Sequence, residues 1–235
     1  MKKFVGHVSK ILLTAALLFT GQSSLAEAKS NDKPTNCSKS FDIRTLKHTE
    51  TTDKNGNRII KIQEPEKFIN EMGYKKPHPD AVPLEVTIVE PAESQTFEKN
   101  NTLAGSRDPY VQVTRVYDTC GSEKIASTSK RGNGTPLELI VQQLESASYN
   151  SSVNIDTSII SAGVGYNVTQ QYSVSSKEIY NTANDGKMYI IDAYAKNKSQ
   201  DFDVYEWSSI FYTHRKTGTG SAHKPIGACF AAWYY

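Results

Sequence analysis

The 235-residue chain holds only three cysteines, three methionines and two tryptophans, and its charges nearly cancel. The formal charge of +2 arises at the N-terminus, where Lys2, Lys3 and Lys10 stand against Glu27. Without those four, 24 basic and 24 acidic side chains remain. A neutral chain with no long basic stripe argues against nucleic acid as a partner, because such binding rests on neutralising phosphates. No CxxC and no Cys/His pair at ligand spacing occurs, so no zinc site is expected, and no motif names a cofactor. Beyond residues 11–21 no run approaches the ~18 apolar residues of a membrane-spanning helix. Nucleophile motifs are missing as well: there is no G-x-S-x-G, and Gly218-Thr-Gly-Ser221 has the wrong spacing for an elbow. Gly163-Val-Gly165 lacks the third glycine of a dinucleotide loop. His214 and His223 lie near Asp201, Asp203 and Glu206 in sequence, but alternating carboxylates on a strand read first as a solvated face. The expected class is therefore not an enzyme.

What the chain does have is aromatic side chains: 13 Tyr, 8 Phe and 2 Trp, although only 37% of residues are hydrophobic. With abundant Ser, Thr and Asn, this composition predicts a mainly β protein, an antiparallel, elongated sheet or sandwich with one or two short helices. Residues 1–28 have the form of a signal peptide. A basic start precedes a short apolar stretch, and Ala26-Glu27-Ala28 follows as an A-x-A cleavage site. The expected product is secreted and begins near Lys29. Export to an oxidising space permits one disulfide. Cys120 and Cys229 sit in apolar, strand-like contexts, whereas Cys37 is in a polar stretch. A Cys120–Cys229 bridge would contribute on the order of 4–5 kcal/mol in the chain-entropy account. Three reduced thiols are the alternative.

Along the chain, Asn55-Gly56 marks a hairpin turn that would place Asp53 opposite Arg58 and Glu50 opposite Lys61. Pro65–Gly73 reads as a short helix with Phe68, Ile69 and Met72 on one side. Three prolines within 77–83 suggest a boundary between a small N-terminal subdomain or propeptide (29–80) and a main β domain (84–235). Strands are expected at 84–89 and 110–117, and at the aromatic terminus 229–235. Residues 188–194 and 202–207 are expected to form a hairpin around the polar loop 196–200. Thr135-Pro-Leu-Glu138 has capping-box form, and Leu137, Ile140, Val141 and Leu144 recur at helical spacing. The same run also alternates Leu137, Leu139, Val141, so 135–147 is open between helix, the favoured reading, and strand.

Residues 149–176 have the clearest pattern. Val153, Ile155 and Ile159 alternate with polar residues, and the phase then shifts by one to Tyr166, Val168, Tyr172 and Val174. Read as a hairpin, legs 150–159 and 166–175 flank the apolar tip Ile160–Gly165, and each leg is long enough for a tilted transmembrane strand. Such a Ser/Thr-rich amphipathic hairpin resembles the insertion hairpin of aerolysin-type β-pore-forming toxins. The resemblance implies a membrane-inserting face of Val153, Ile155, Ile159, Tyr166, Val168, Tyr172 and Val174, with oligomerisation as its requirement. The segment Gly218–Gly227 and the hairpin before it are similar to functionally undescribed secreted β proteins of Gram-positive bacteria. Ordinary half-buried strands account for the same alternation and are the plainer reading. The functional expectation is binding or action at a cell surface, membrane or glycan. An extracellular hydrolase or a structural matrix or spore-surface protein is the alternative.

Overall fold

The computed structural model describes residues 42–92 and 107–235; Cys37 and the signal-like segment lie outside them. A 3-10 turn (Ile43–Thr45) leads to β1 (His48–Thr52), β2 (Arg58–Ile62), α1 (Pro65–Met72) and β3 (Val82–Glu90). After these come β4 (Tyr110–Arg131), β5 (Pro136–Ser146), β6 (Ser148–Ser151), α2 (Thr157–Val164), β7 (Gln171–Asn181), β8 (Met188–Ser208) and β9 (Thr213–Tyr234). The fold is mainly β and antiparallel, with two α-helices among the described residues.

The large sheet has the order β1-β2-β3-β9-β8-β4, and β6 pairs with β9 on the edge where β3 has ended. Alternation along β9 explains why 228–234 is apolar throughout. Cys229, Ala231 and Trp233 face one core, where they meet Phe68, Ile69 and Met72 of α1 and Ile60 and Ile62 of β2. Ala228 and Phe230 face a second core under β5 and β7, and a strand covered on both sides has no room for polar residues. A third core joins α2 and the segment after it to Val111, Phe202, Val204 and Ala222. The N-terminal elements thus share the sheet and first core with the rest, across the prolines.

The hairpin expected at 188–207 is one continuous 21-residue strand, β8, and the polar stretch 196–200 is mostly buried within it. The three buried polar side chains there, Lys196, Ser199 and Gln200, each have a partner. Lys196, 0% exposed, lies between Glu90 and Asp118; Ser199 hydrogen-bonds His223; and Gln200 Nε2 donates to the Val164 carbonyl at 2.9 Å. Burial of Asp118 opposes its charge, but Lys196 and Lys198 more than offset this and hold its carboxyl below the ordinary aspartate range. Arg58 carries the network outward, contacting Glu90 at 2.9 Å and Glu50 at 2.5 Å.

Cys120 and Cys229 form the expected disulfide. It joins β4 to β9 although β8 runs between them. Their Cα atoms are 6.2 Å apart, less than the ~9.6 Å of two strand spacings, so the sheet curls sharply here. Register slips in β4 after Cys120 and in β8 after Lys196 fall at the same level.

Three local expectations are corrected. The β1–β2 register is one residue off, pairing Glu50 with Ile60 and Thr52 with Arg58. The loop is longer than a two-residue turn because Asp53 Oδ1 accepts from the Asn55 and Asn57 amides. Residues 136–146 are strand, not helix: pairing with β7 and burial of Leu137, Leu139 and Val141 override the capping-box pattern. Residues 157–164 are helix, not the tip of a hairpin. Asp156 caps its start by accepting from the Ser158 amide, and Gly165 ends it at φ 82°. A Cβ at Gly163 would fall 1.8 Å from Val111 Cγ2, so only glycine lets α2 lie this close to β4.

Two outcomes follow for urea denaturation. Lys196→Met leaves Glu90 and Asp118 buried without their shared cation and should lose about 3–5 kcal/mol. Gly163→Ala should lose about 1–3 kcal/mol despite its better helix propensity, because overpacking against Val111 outweighs that gain.

Candidate membrane-facing surface

Two features at the surface call for a functional account. The first is the ribbon of β5 and β7, which pair with each other over eleven residues, Pro136↔Asn181 to Ser146↔Gln171, and with no other described strand. Its inner face carries Leu137, Leu139, Val141, Tyr172, Val174 and Tyr180 against the large sheet, with Gln143, Glu145, Ser176 and Glu178 among them. The outer face presents Gln142, Ser173, Ser175 and the Lys177–Glu138 ion pair at 2.8 Å, together with exposed Ile140, Leu144 and Ile179. The ribbon is held to the body by side-chain packing, and its far end runs into the β6–α2 connection.

The second feature is the β8–β9 turn. At this end of the sheet Tyr110 stacks on Tyr205 at 5.1 Å, and His214 meets Tyr110 and Trp207 edge-on. Arg107 lies 5.4 Å from the Trp207 ring centre, and Arg215 lies 3.6 Å from that of Phe211. Beyond them Ile210, Phe211 and Tyr212 are 80%, 52% and 78% exposed. Tyr212 adopts a left-handed φ of 52°, the one positive φ among non-glycine residues described. The sequence reading missed this turn. Three consecutive large apolar residues at a strand reversal, with no Gly, Asn, Asp or Pro, were the available signal.

The seven residues of the expected inserting face are placed as follows. Val153, Ile155, Ile159, Tyr166, Val168 and Tyr172 pack in or against the third core, and Val174 in the second. All are therefore turned toward the body, as an insertion face must be before insertion. They are not two legs of a hairpin, however: only Tyr172 and Val174 lie on a strand, β7, and Ile159 is in α2. Val168 is 1% exposed, so a charge there would disrupt the soluble core.

An open cleft of about 460 Å³ is lined by Thr157, Ser158, Ser161, Gly165, Tyr166, Asn167 and Thr169 around α2. Ser161 is committed locally, donating to the Thr157 carbonyl and accepting from the Val168 amide. Elsewhere, His223 Nδ1 is 2.8 Å from Ser199 Oγ and its Nε2 is 3.2 Å from Ser221 Oγ, with Asp201 beside Ser221 across the strands. Burial lowers the His223 pKa, and the Asp201 charge opposes that shift. Ser199 and Ser221 are both buried, and neither lines the cleft. Asp201 accepts from the Tyr117 hydroxyl, and Asp203 pairs with Lys216 at 2.7 Å. His214 Nε2 is hydrogen-bonded to the Asp108 carbonyl. Among the described residues, no group of three or more His, Cys, Asp and Glu could hold a metal ion, and no helix is long and apolar enough to cross a membrane.

No protein-family model matches the chain, and no curated protein matches it. Among solved structures, it is similar to a crystal structure of a candidate pore-forming toxin from Bacteroides vulgatus. The two share 9% identity over 82% of this chain and 81% of that one, with a TM-score of 0.25. The likeness to toxin-like folds is weak.

Where the ribbon meets the body, Glu178 faces Glu85 and Thr87 of β3 and Lys61 of β2. Lys61 Nζ is 2.6 Å from Glu85 Oε1, which also accepts from the Thr87 hydroxyl at 2.9 Å. Burial first, and then the Glu85 charge, push the Glu178 carboxyl up to about 7. A raised carboxyl pKa means that the folded chain holds a proton the unfolded chain has released. Between about pH 4.5 and 7 stability should therefore fall as pH rises, and the full penalty should persist above 7. Glu178→Gln should remove that slope and gain on the order of 1–3 kcal/mol at pH 8, with little change at pH 4. Paired urea titrations of wild type and variant at the two pH values measure it.

Proposed function

We propose that the chain is an exported, non-enzymatic β protein that acts at a cell surface, and that its action is insertion of the 136–181 hairpin into a membrane. The observation that carries this reading is the β5–β7 ribbon, whose two strands pair with each other and form no ladder with the large sheet. Its release would break side-chain contacts and leave the pairing of the sheet intact. Eleven residues per leg extend for ~36 Å, enough to cross a bilayer when tilted. Leu137, Leu139, Val141, Tyr172, Val174 and Tyr180 would exchange the body for lipid, while Gln142, Ser173, Ser175 and Lys177 would face water. In this reading β5 replaces the first leg of the 150–175 hairpin suggested by alternation, β7 overlaps the second leg only at 171–175, and the β6–α2 segment is the connection between them.

A two-stranded ribbon alone leaves unpaired edges in hydrocarbon, so insertion requires a closed barrel and hence several copies. Of the two carboxyl groups on the lipid-facing side, Glu145 and Glu178, Glu178 lies nearer its middle. Its raised pKa makes the neutral form accessible near neutrality, which lowers the cost of bringing it into lipid. The Cys120–Cys229 bridge supports an extracellular setting, because such bonds persist in oxidising compartments.

The test is dye release from phospholipid liposomes. Wild-type protein should permeabilise them and form oligomers on them. A Thr87→Cys/Glu178→Cys pair, bridging β3 to β7, should release no dye until reduced, with wild type under the same reductant as reference. Leakage by the oxidised clamp equal to wild type, or no leakage by wild type at any pH between 5 and 8, would reject insertion of this hairpin.

A further inference from the structure

We infer that the β8–β9 turn is a membrane-docking tip, with Ile210, Phe211 and Tyr212 entering the interfacial layer of a phospholipid bilayer and Arg107 and Arg215 taking its phosphates. The inference rests on the membrane reading above but names a different surface, which binds without crossing.

The argument begins from what a turn normally contains. A four-residue reversal between two long strands favours Gly, Asn or Asp, which tolerate left-handed backbone, and small polar residues, of which this one has only Ser209. Here Tyr212 takes the left-handed conformation, at a cost of order 1 kcal/mol or more. Three large apolar side chains also stand in water at the outermost point of a hairpin more than twenty residues long. Neither feature aids folding, because none of the three side chains belongs to a core cluster.

The order of chemistry behind the apex matches the depth profile of a bilayer surface. The aliphatic and aromatic apex comes first, and then Arg215 over Phe211 and Arg107 over Trp207. His214 lies between Trp207 and Tyr110, and the Asp203–Lys216 pair comes only after them. Trp, Tyr and Arg side chains favour the headgroup level, with apolar faces toward the acyl chains and polar ends toward water. A guanidinium lying on an aromatic ring still points its N–H groups outward, where phosphate oxygens can accept them in bidentate fashion. Acidic Glu206 and Asp108 offset part of the charge of the region, so apolar insertion supplies most of the affinity, while the guanidinium–phosphate contacts set the depth and add a preference for anionic headgroups. The β6–α2 connection flanks this end of the sheet, since Asn150 and Ser151 pair with Ser221 and Gly220. A docked tip would therefore bring the connection between the two ribbon legs toward the membrane.

The experiment is vesicle flotation combined with tryptophan fluorescence, using phosphatidylcholine vesicles with and without phosphatidylglycerol. Trp233 is fully buried, so a blue shift on adding vesicles reports Trp207, and Trp207→Phe should abolish it. Wild type should float with both vesicle types, and more strongly with phosphatidylglycerol. The triple variant Ile210→Ser/Phe211→Ser/Tyr212→Asn should bind at least about tenfold more weakly, equivalent to ~1.4 kcal/mol, with an unchanged or higher Tm. Arg107→Gln/Arg215→Gln should lose the preference for phosphatidylglycerol. Absence of wild-type flotation, or equal flotation of the triple variant, would overturn the assignment. So would a vesicle-free dimer that the triple variant abolishes, which would give the tip to a second copy. The oxidised Thr87→Cys/Glu178→Cys clamp separates the two readings. It should float as wild type does without releasing dye, and flotation of wild type without any leakage would leave the tip standing while rejecting insertion.

Discussion

The whole architecture depends on burying β8 on both faces and pairing it on both edges. From Met188 to Ala195 its side chains alternate between the two cores, and from Lys196 onward it carries polar groups into the same interior. That second half is tolerable only because Lys196 is neutralised by Glu90 and Asp118, one from each flanking part of the sheet. A buried ammonium without those partners would cost several kcal/mol, enough to exceed much of a domain's net stability. The ion cluster therefore selects the arrangement more than it strengthens it. It fixes which strands lie beside β8 at the level where the sheet curls and the disulfide crosses from β4 to β9.

With β8 and β9 held in this way, the attachments to them differ in kind. β3, β4 and β6 are joined by backbone ladders, and removing any of them would expose unpaired amides and carbonyls. The β5–β7 ribbon is joined by side-chain contacts without a backbone ladder, and it includes Glu178, which opposes its own burial as pH rises. The chain thus combines a body closed by hydrogen bonds and a disulfide with a long amphipathic element attached by weaker means. The aromatic tip lies at the end of the same β8–β9 hairpin that forms the rigid centre, so a force or anchor applied there is transmitted to the least deformable part of the molecule.

Much of the fold was legible in the sequence. Period-2 alternation identified β3 and the start of β4, the aromatic run at the terminus marked the end of β9, and the Pro65 to Gly73 punctuation marked α1. The cysteines in apolar strands gave their own pairing. The errors share a cause: a local pattern was overridden by partners far away in sequence. Polar 196–200 looked like a loop because Glu90, Asp118 and His223, which satisfy it, are 24 or more residues distant. The helical spacing at 137–144 gave way to pairing with β7, which no local rule anticipates. In 157–165, alternation that suited a strand also suited a capped helical turn, and the contact of Gly163 with Val111 decided between them. Of the candidate face, the sequence identified residues that turn inward but not the strands that carry an eleven-residue ribbon. The tip escaped notice because its signal is the absence of Gly, Asn, Asp and Pro at the reversal.

Native-state hydrogen exchange tests the central claim, that the ribbon is separable from the body. With the Cys120–Cys229 bond intact, the amides of β5 and β7 should exchange through a shared opening that lies several kcal/mol below the global unfolding seen in β8 and β9. Ribbon amides that exchange only with global unfolding, at the same free energy as β8 and β9, would contradict it.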